Sequence, residues 1–167
     1  KIESTGINAR CKVFNNEIDP RLFQTTATGY YIPSGQYDLN SDVEVYGHVT
    51  ILRNSEFSIG KDVKITVKPG ATLNIEFGGY FHSCDSDMWT GFIVEPGGTI
   101  NILGDNSSPA LVEDAKIGVV ASDNSNYHAE VRIKGKVTFN SNYISVYLHD
   151  GDFSDAEFEG TKFTCTK

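Results

Sequence analysis

The chain has no run of about twenty apolar residues, the length that a bilayer-spanning helix requires, so no transmembrane segment is expected. Its opening, Lys1-Ile2-Glu3, lacks the apolar core of a signal peptide, and any export signal is expected to have been removed. Basic residues are few: 14 Lys and Arg stand against 22 Asp and Glu, a formal net charge of -8. A chain of that sign repels polyphosphate and offers no basic stripe for counterion release, so nucleic acid is not an expected partner. The His-Glu-x-x-His, Gly-x-Ser-x-Gly, phosphate-loop and dinucleotide-binding glycine patterns are all missing, which leaves the common hydrolase and nucleotide readings without sequence support. Only three cysteines occur, Cys11, Cys84 and Cys165, at spacings that match neither a zinc site nor a small disulfide framework. They read as simple buried thiols, with their pairing left open.

Helical spacing is also nearly absent, and in its place are very short runs in which apolar and polar residues alternate. That is the period of a half-buried strand. Val43-Glu44-Val45, Val49-Thr50-Ile51, Phe57-Ser58-Ile59 and Val63-Lys64-Ile65-Thr66-Val67 show it. Further on come Leu73-Asn74-Ile75, Ile100-Asn101-Ile102, Val131-Arg132-Ile133, Val137-Thr138-Phe139 and Ile144-Ser145-Val146-Tyr147-Leu148. Gly, Asn, Asp and Pro separate them, so the chain changes direction every few residues and the fold class is all-β.

An internal repeat narrows the architecture. Val67-Lys68-Pro69-Gly70-Ala71-Thr72-Leu73-Asn74-Ile75 returns 27 residues later as Val94-Glu95-Pro96-Gly97-Gly98-Thr99-Ile100-Asn101-Ile102. In each copy a strand ends at a Pro-Gly pair, where proline presets one turn position and glycine takes the positive φ of the next. Weaker echoes stand at Gly47-His48-Val49-Thr50-Ile51 and Gly135-Lys136-Val137-Thr138-Phe139. A unit of twenty-odd residues holding several short strands, recurring with irregular length, predicts a right-handed parallel β-helix, a β-solenoid. Asn74 and Asn101 would occupy equivalent places, either facing outward or stacked as an amide ladder inside a turn; their alternation with Leu73, Ile75, Ile100 and Ile102 favours outward.

Residues 1–40 lack this pattern and read as an irregular segment capping one end, because an exposed coil edge invites unwanted strand pairing. Residues 41–167 read as the coils. Alternation persists through Phe158 to Cys165 with no cap after it, so the natural protein is expected to continue beyond Lys167.

The order of motifs from Val45 to Val120 resembles the β-helix surface proteins that Bacteroidetes secrete through the type IX pathway. The matching segments are Val45-Tyr46-Gly47-His48-Val49-Thr50-Ile51, Ile65 to Ile75, and Cys84 followed by Asp87-Met88-Trp89-Thr90-Gly91-Phe92-Ile93-Val94. The likeness resumes at Val112-Glu113-Asp114-Ala115-Lys116-Ile117-Gly118-Val119, so it covers roughly the middle half of the chain. Cys-x-x-x-Met-Trp-x-Gly is its most specific part. The resemblance implies a secreted or cell-surface location in which the β-helix is one module of a larger protein, and it supplies little chemistry.

Chemistry must therefore be sought in looser groupings. Tyr80, Asp85, Asp87 and Trp89 are the candidate ligand-binding residues: two Asp flanking Ser86 in a loop, with aromatic rings that could stack on a sugar. The same Asp pair could contribute to a calcium site, although the loop lacks the downstream bidentate glutamate of an EF-hand. Asp residues in loops more often hold nearby backbone N–H groups, and Trp89 beside Met88 more often fills a core. Asp123-Asn124-Ser125-Asn126 reads as another polar loop. Tyr80, Phe81, His82, Tyr127, Tyr143 and Tyr147 would form a carbohydrate strip if they fell on one face, and His82, His128 and His149 have no serine partner visible in the sequence.

The leading expectation is a noncatalytic module of an extracellular or surface bacterial protein, acting as adhesin, stalk or binding scaffold, with no catalytic residues and no resident metal. Its expected partners are carbohydrate or other surface proteins. A polysaccharide lyase or glycosidase is the alternative, with acidic groups meeting Arg132 or Lys134 in a groove. A filament built by homo-oligomers stacked through their coil ends is a third.

Overall fold

A computed structural model describes residues 12–24, 29–84, 86–122, 127–149 and 157–165. Its strands come in triplets, one strand per side of each coil. The first coil holds β1 (Tyr30–Ile32), β2 (Gln36–Leu39) and β3 (Val43–Val45); the second holds β4 (His48–Ile51), β5 (Glu56–Ile59) and β6 (Lys64–Val67). The third holds β7 (Thr72–Ile75), β8 (Tyr80–Ser83) and β9 (Gly91–Val94), and the fourth β10 (Thr99–Gly104), β11 (Ala110–Glu113) and β12 (Ile117–Ser122). Then come β13 (Glu130–Gly135), β14 (Val137–Asn140) and β15 (Ile144–His149), with β16 (Glu157–Glu159) and β17 (Lys162–Thr164) beginning a sixth.

Like strands pair in parallel, so three sheets run along the axis: β1-β4-β7-β10-β13-β16, β2-β5-β8-β11-β14-β17 and β3-β6-β9-β12-β15. This is the β-solenoid that the short alternating runs predict. Its core is made of columns, because in-register parallel pairing stacks each inward side chain on its equivalent in the next coil. One column is Ile32, Ile51, Ile75, Ile102, Ile133 and Phe158. Another is Tyr37, Phe57, Phe81, Val112, Phe139 and Phe163, within which Phe57 and Phe81 stack face to face at 5.0 Å. Phe158 and Phe163, at the end of their columns, remain exposed, and burying each of the enclosed members stabilises the fold by about 1.5–3 kcal/mol.

The repeat is coil on coil: Leu73 pairs with Ile100, Asn74 with Asn101 and Val67 with Val94. Gly70 and Gly97 have φ of +77° and +85°, and each turn is closed by a backbone bond, Ala71 N–H to Lys68 O and Gly98 N–H to Glu95 O. The Gly47 echo belongs to the same sheet, with His48 beside Thr72. The Gly135 echo does not. Its strand, β14, lies in the second sheet, and the true successor of β10 is β13. Five residues of similar pattern do not distinguish one side of a coil from another.

The coils also start earlier than residue 41. β1 and β2 pair in register with β4 and β5. Tyr30-Tyr31-Ile32 has no readable alternation, and Pro33 looks like a breaker, yet it sits at a corner where its carbonyl accepts the Tyr37 hydroxyl at 2.8 Å. Before β1, a 3₁₀ turn at Pro20–Phe23, capped by the Asp19 carboxylate, sets Phe23 fully buried in the core. Asp38, itself buried, accepts the backbone N–H groups of Val13 at 3.0 Å and Phe14 at 3.2 Å, fastening residues 13–14 to the second sheet. Among the described residues no helix is long and apolar enough to cross a membrane.

Candidate functional site

Alternation sends every other residue of the second sheet outward, and coil stacking turns these into two columns. One is Gln36, Glu56, Tyr80, Leu111, Thr138 and Lys162. The other places Asp38, Ser58 and His82 on the early coils and Glu113, Asn140 and Thr164 on the later ones. The polar members are joined across the coils. Tyr80 Oη donates to Glu113 Oε1 at 2.6 Å, Asn140 Nδ2 donates to Glu113 Oε2 at 3.2 Å, and Thr164 Oγ1 donates to Asn140 Oδ1 at 2.8 Å.

Beside this ladder lies a groove of about 420 Å³ lined by Tyr80, Pro109, Leu111, Glu113, Asn140 and Lys162, with Ala110, Thr138 and Thr164 completing it. A second hollow of about 280 Å³ shares Pro109, Thr138 and Lys162 with it and continues past Lys136 to Asp105. The far wall is the turn before β11, held by the Asp105 carboxylate, which accepts the N–H groups of Ser107 and Ser108 at 2.8 and 2.7 Å. Those bonds, with the Ser107 hydroxyl bond foremost, hold the Asp105 carboxyl below its ordinary pKa.

Burial first, and the bond to Glu113 second, push the Tyr80 phenol well above its ordinary pKa. Tyr80 therefore stays protonated and donates, which suits binding and not proton abstraction. Glu113 accepts two bonds. His82 packs on Tyr80 with ring centroids 4.5 Å apart. Its Nδ1 faces the Ser83 carbonyl at 2.9 Å, while Nε2 lies 3.3 Å from Glu56 Oε1 without the alignment of a good hydrogen bond. Ser58 is the rung neighbour of His82, a pairing invisible in the sequence, but it is fully buried and no substrate can reach it.

Of the three described residues singled out from the sequence, Tyr80, Asp87 and Trp89, Tyr80 alone lies in the groove. Asp85 lies outside the described residues. Asp87 is exposed; its carboxylate pairs with Lys61 at 3.2 Å, and its backbone carbonyl accepts the Ser83 hydroxyl. Trp89 cannot stack on a ligand: it is wholly buried, edge-on to Phe92, with Nε1 donating to the Glu113 carbonyl at 2.9 Å. The aromatic residues do not form one strip, since Tyr80 and His82 are on the second sheet and Tyr147 and His149 on the third. Arg132 and Lys134, on the first sheet, are paired with Glu130 at 3.2 Å and Glu157 at 2.5 Å. Asp123 to Asn126 lie outside the described residues, and among the described ones no three His, Cys, Asp or Glu side chains converge as a metal site. Cys84 is half-buried and Cys165 exposed.

Leu111, Glu113, Asn140 and Lys162 escaped the sequence reading because their meeting depends on register between coils of unequal length. Comparison with protein-family models, with curated proteins and with solved structures found no match.

Proposed function

We propose that this chain is a noncatalytic binding module of an extracellular or cell-surface bacterial protein, and that it holds an extended saccharide in the groove from Tyr80 to Lys162. The observation that carries the reading is the groove itself, which crosses successive coils with Pro109, Ala110 and Leu111 as its apolar floor and hydroxyl, amide and carboxylate groups along its edge. Sugars present that same mixture, C–H faces beside hydroxyls, and small-molecule sites pair apolar walls with a few placed polar groups. The in-register ladder fixes the edge groups before a ligand arrives, which lowers the ordering cost of binding. The type IX resemblance supports the location.

Cleavage of polysaccharide is the second reading, favoured by the approach of His82 to Glu56. One experiment separates them: the purified chain is screened on a glycan array and incubated with polysaccharides, with and without calcium, scoring binding and new chain ends. Binding without products, lost on Leu111→Asp substitution, is the expected result. New ends abolished by His82→Gln would replace the binding reading with the enzymatic one, and silence throughout would overturn both.

A further inference from the structure

Charge is paired almost everywhere on this surface. Arg21, Arg53, Lys61, Lys64, Lys68, Lys116, Arg132 and Lys134 each lie within 4.0 Å of a carboxylate. Among the described residues, Lys12, Lys136 and Lys162 are the lysines and arginines without such a partner, and Lys136 and Lys162 both line the second hollow, which continues the groove. In a chain of net charge -8 this is not a consequence of abundant lysine.

The local arrangement leaves both lysines available. Lys136 is exposed and immediately precedes β14, and Lys162 opens β17 on the next coil, beside Thr138. Coils are about 4.8 Å apart, so the two ammonium groups serve neighbouring points along the axis. The groove's own carboxylates are already engaged: Glu113 by Tyr80 and Asn140, Asp105 by Ser107 and Ser108 with Arg53 at 3.7 Å. The corner between the first and second sheets is kept low there by Gly104, Gly135 and Gly160. An added Cβ at Gly104 would stand 2.1 Å from the Lys136 carbonyl, and one at Gly135 1.9 Å from the Gly104 carbonyl. No side chain from these positions screens the lysines from a ligand.

Resting on the saccharide reading, we infer that the groove selects an acidic polysaccharide, a polymer of uronic acids whose carboxylates are met by Lys136 and Lys162. The hydroxyls of such a polymer face Thr138, Asn140 and Thr164. An acidic peptide is a poorer occupant, because β8, β11 and β14 are paired on both sides and offer no free edge for strand addition. Lysine suits the role because a point charge on a flexible stem tolerates the varied carboxylate positions of a polymer.

The test uses the whole chain in affinity electrophoresis through polygalacturonate, polymannuronate and polyglucuronate, each against a neutral polymer of the parent sugar, with polyglutamate as competitor. At least one uronate polymer should retard the chain and its neutral counterpart should not. Lys136→Gln and Lys162→Gln should each weaken retention about tenfold, as the loss of a charge-assisted contact does. Raising ionic strength should weaken it further, and Lys61→Gln, outside the groove, should leave it unchanged. Equal retention by acidic and neutral polymers would overturn this inference while leaving the saccharide groove standing. Uronate retention unaltered in the double lysine variant, or abolished by polyglutamate, would also overturn it. Failure of every polymer to bind would remove both readings together.

Discussion

The indole Nε1 of Trp89, inside the core, donates to the backbone carbonyl of Glu113 at 2.9 Å, while the Glu113 carboxylate, outside, receives Tyr80 and Asn140. One residue thus ties the inner wall of the solenoid to the outer ladder. Trp89→Phe would leave a void and a buried carbonyl without its donor. The expected cost is about 2–4 kcal/mol, read as a lower urea midpoint with an unchanged slope. Circular dichroism must report it, since Trp89 is the only tryptophan. A loss below about 0.5 kcal/mol, the range of ordinary surface changes, would contradict this placement.

The external ladder of the first sheet makes a smaller prediction. Asn101 Nδ2 donates to Asn74 Oδ1 at 2.7 Å, and Asn74 Nδ2 reaches Thr50 Oγ1 at 3.4 Å. The amides face outward, as their alternation predicts, and they stack from coil to coil within the strands β7 and β10, not inside a turn. The Asn101→Ala change removes the short rung from a half-buried place, so about 0.5–1.5 kcal/mol is expected. In a double-mutant cycle with Asn74→Ala, the coupling should be at least about 0.5 kcal/mol, and simple additivity would show the ladder to be idle.

Glycine substitutions should divide sharply by position. Gly91 has φ +120°, and a Cβ there would stand 1.6 Å from the Ile117 carbonyl oxygen, in a strand paired on both sides by β6 and β12. Neither backbone can retreat, so Gly91→Ala is expected to cost more than about 4 kcal/mol and to abolish soluble folded protein. Gly70, at φ +77°, meets nothing within 4 Å. Only the left-handed backbone penalises Gly70→Ala, by about 1–2 kcal/mol. The yield of soluble protein for Gly91→Ala and a thermal melt of Gly70→Ala against the natural chain check the contrast.

The same distinction between local and long-range constraint explains what could be read in advance. Alternation in Val49-Thr50-Ile51 or Leu73-Asn74-Ile75 gives strand and inward face directly, since period two is a property of neighbouring residues. The Pro-Gly turns are local in the same way. Tyr80 meeting Glu113 is not local. It requires the register of β8 against β11 across the turn at Asp105, whose length no periodicity reports. The Gly135 echo misleads for the matching reason: Gly-Lys-Val-Thr-Phe obeys the local pattern on a different side of the coil. Trp89 was legible as core from its neighbour Met88, but its bond to Glu113 was not.

Acid and base should act on different parts of the molecule. Hydrogen bonds from Tyr46 to Glu44, Lys116 to Asp62, Ser107 to Asp105 and Lys134 to Glu157 are the largest causes that hold these four carboxyls below their ordinary pKa. A carboxyl with a depressed folded pKa contributes stability above its unfolded value, here 3.8 for Asp and 4.5 for Glu, and loses it as pH falls through the folded value. These groups are exposed, so each contribution is small and the loss on acidification below about pH 4 should be gradual. Tyr80 has the opposite sign. Its raised pKa means that the folded state keeps the phenolic proton, so the contribution is complete below the unfolded value of 10.0 and declines as pH rises above it. Urea midpoints measured from neutrality to about pH 11, above the ordinary tyrosine pKa, should therefore fall more steeply for the natural chain than for Tyr80→Phe, which carries no proton there to lose. Parallel alkaline slopes for the two proteins would place Tyr80 in solvent and remove its bond to Glu113 from the groove.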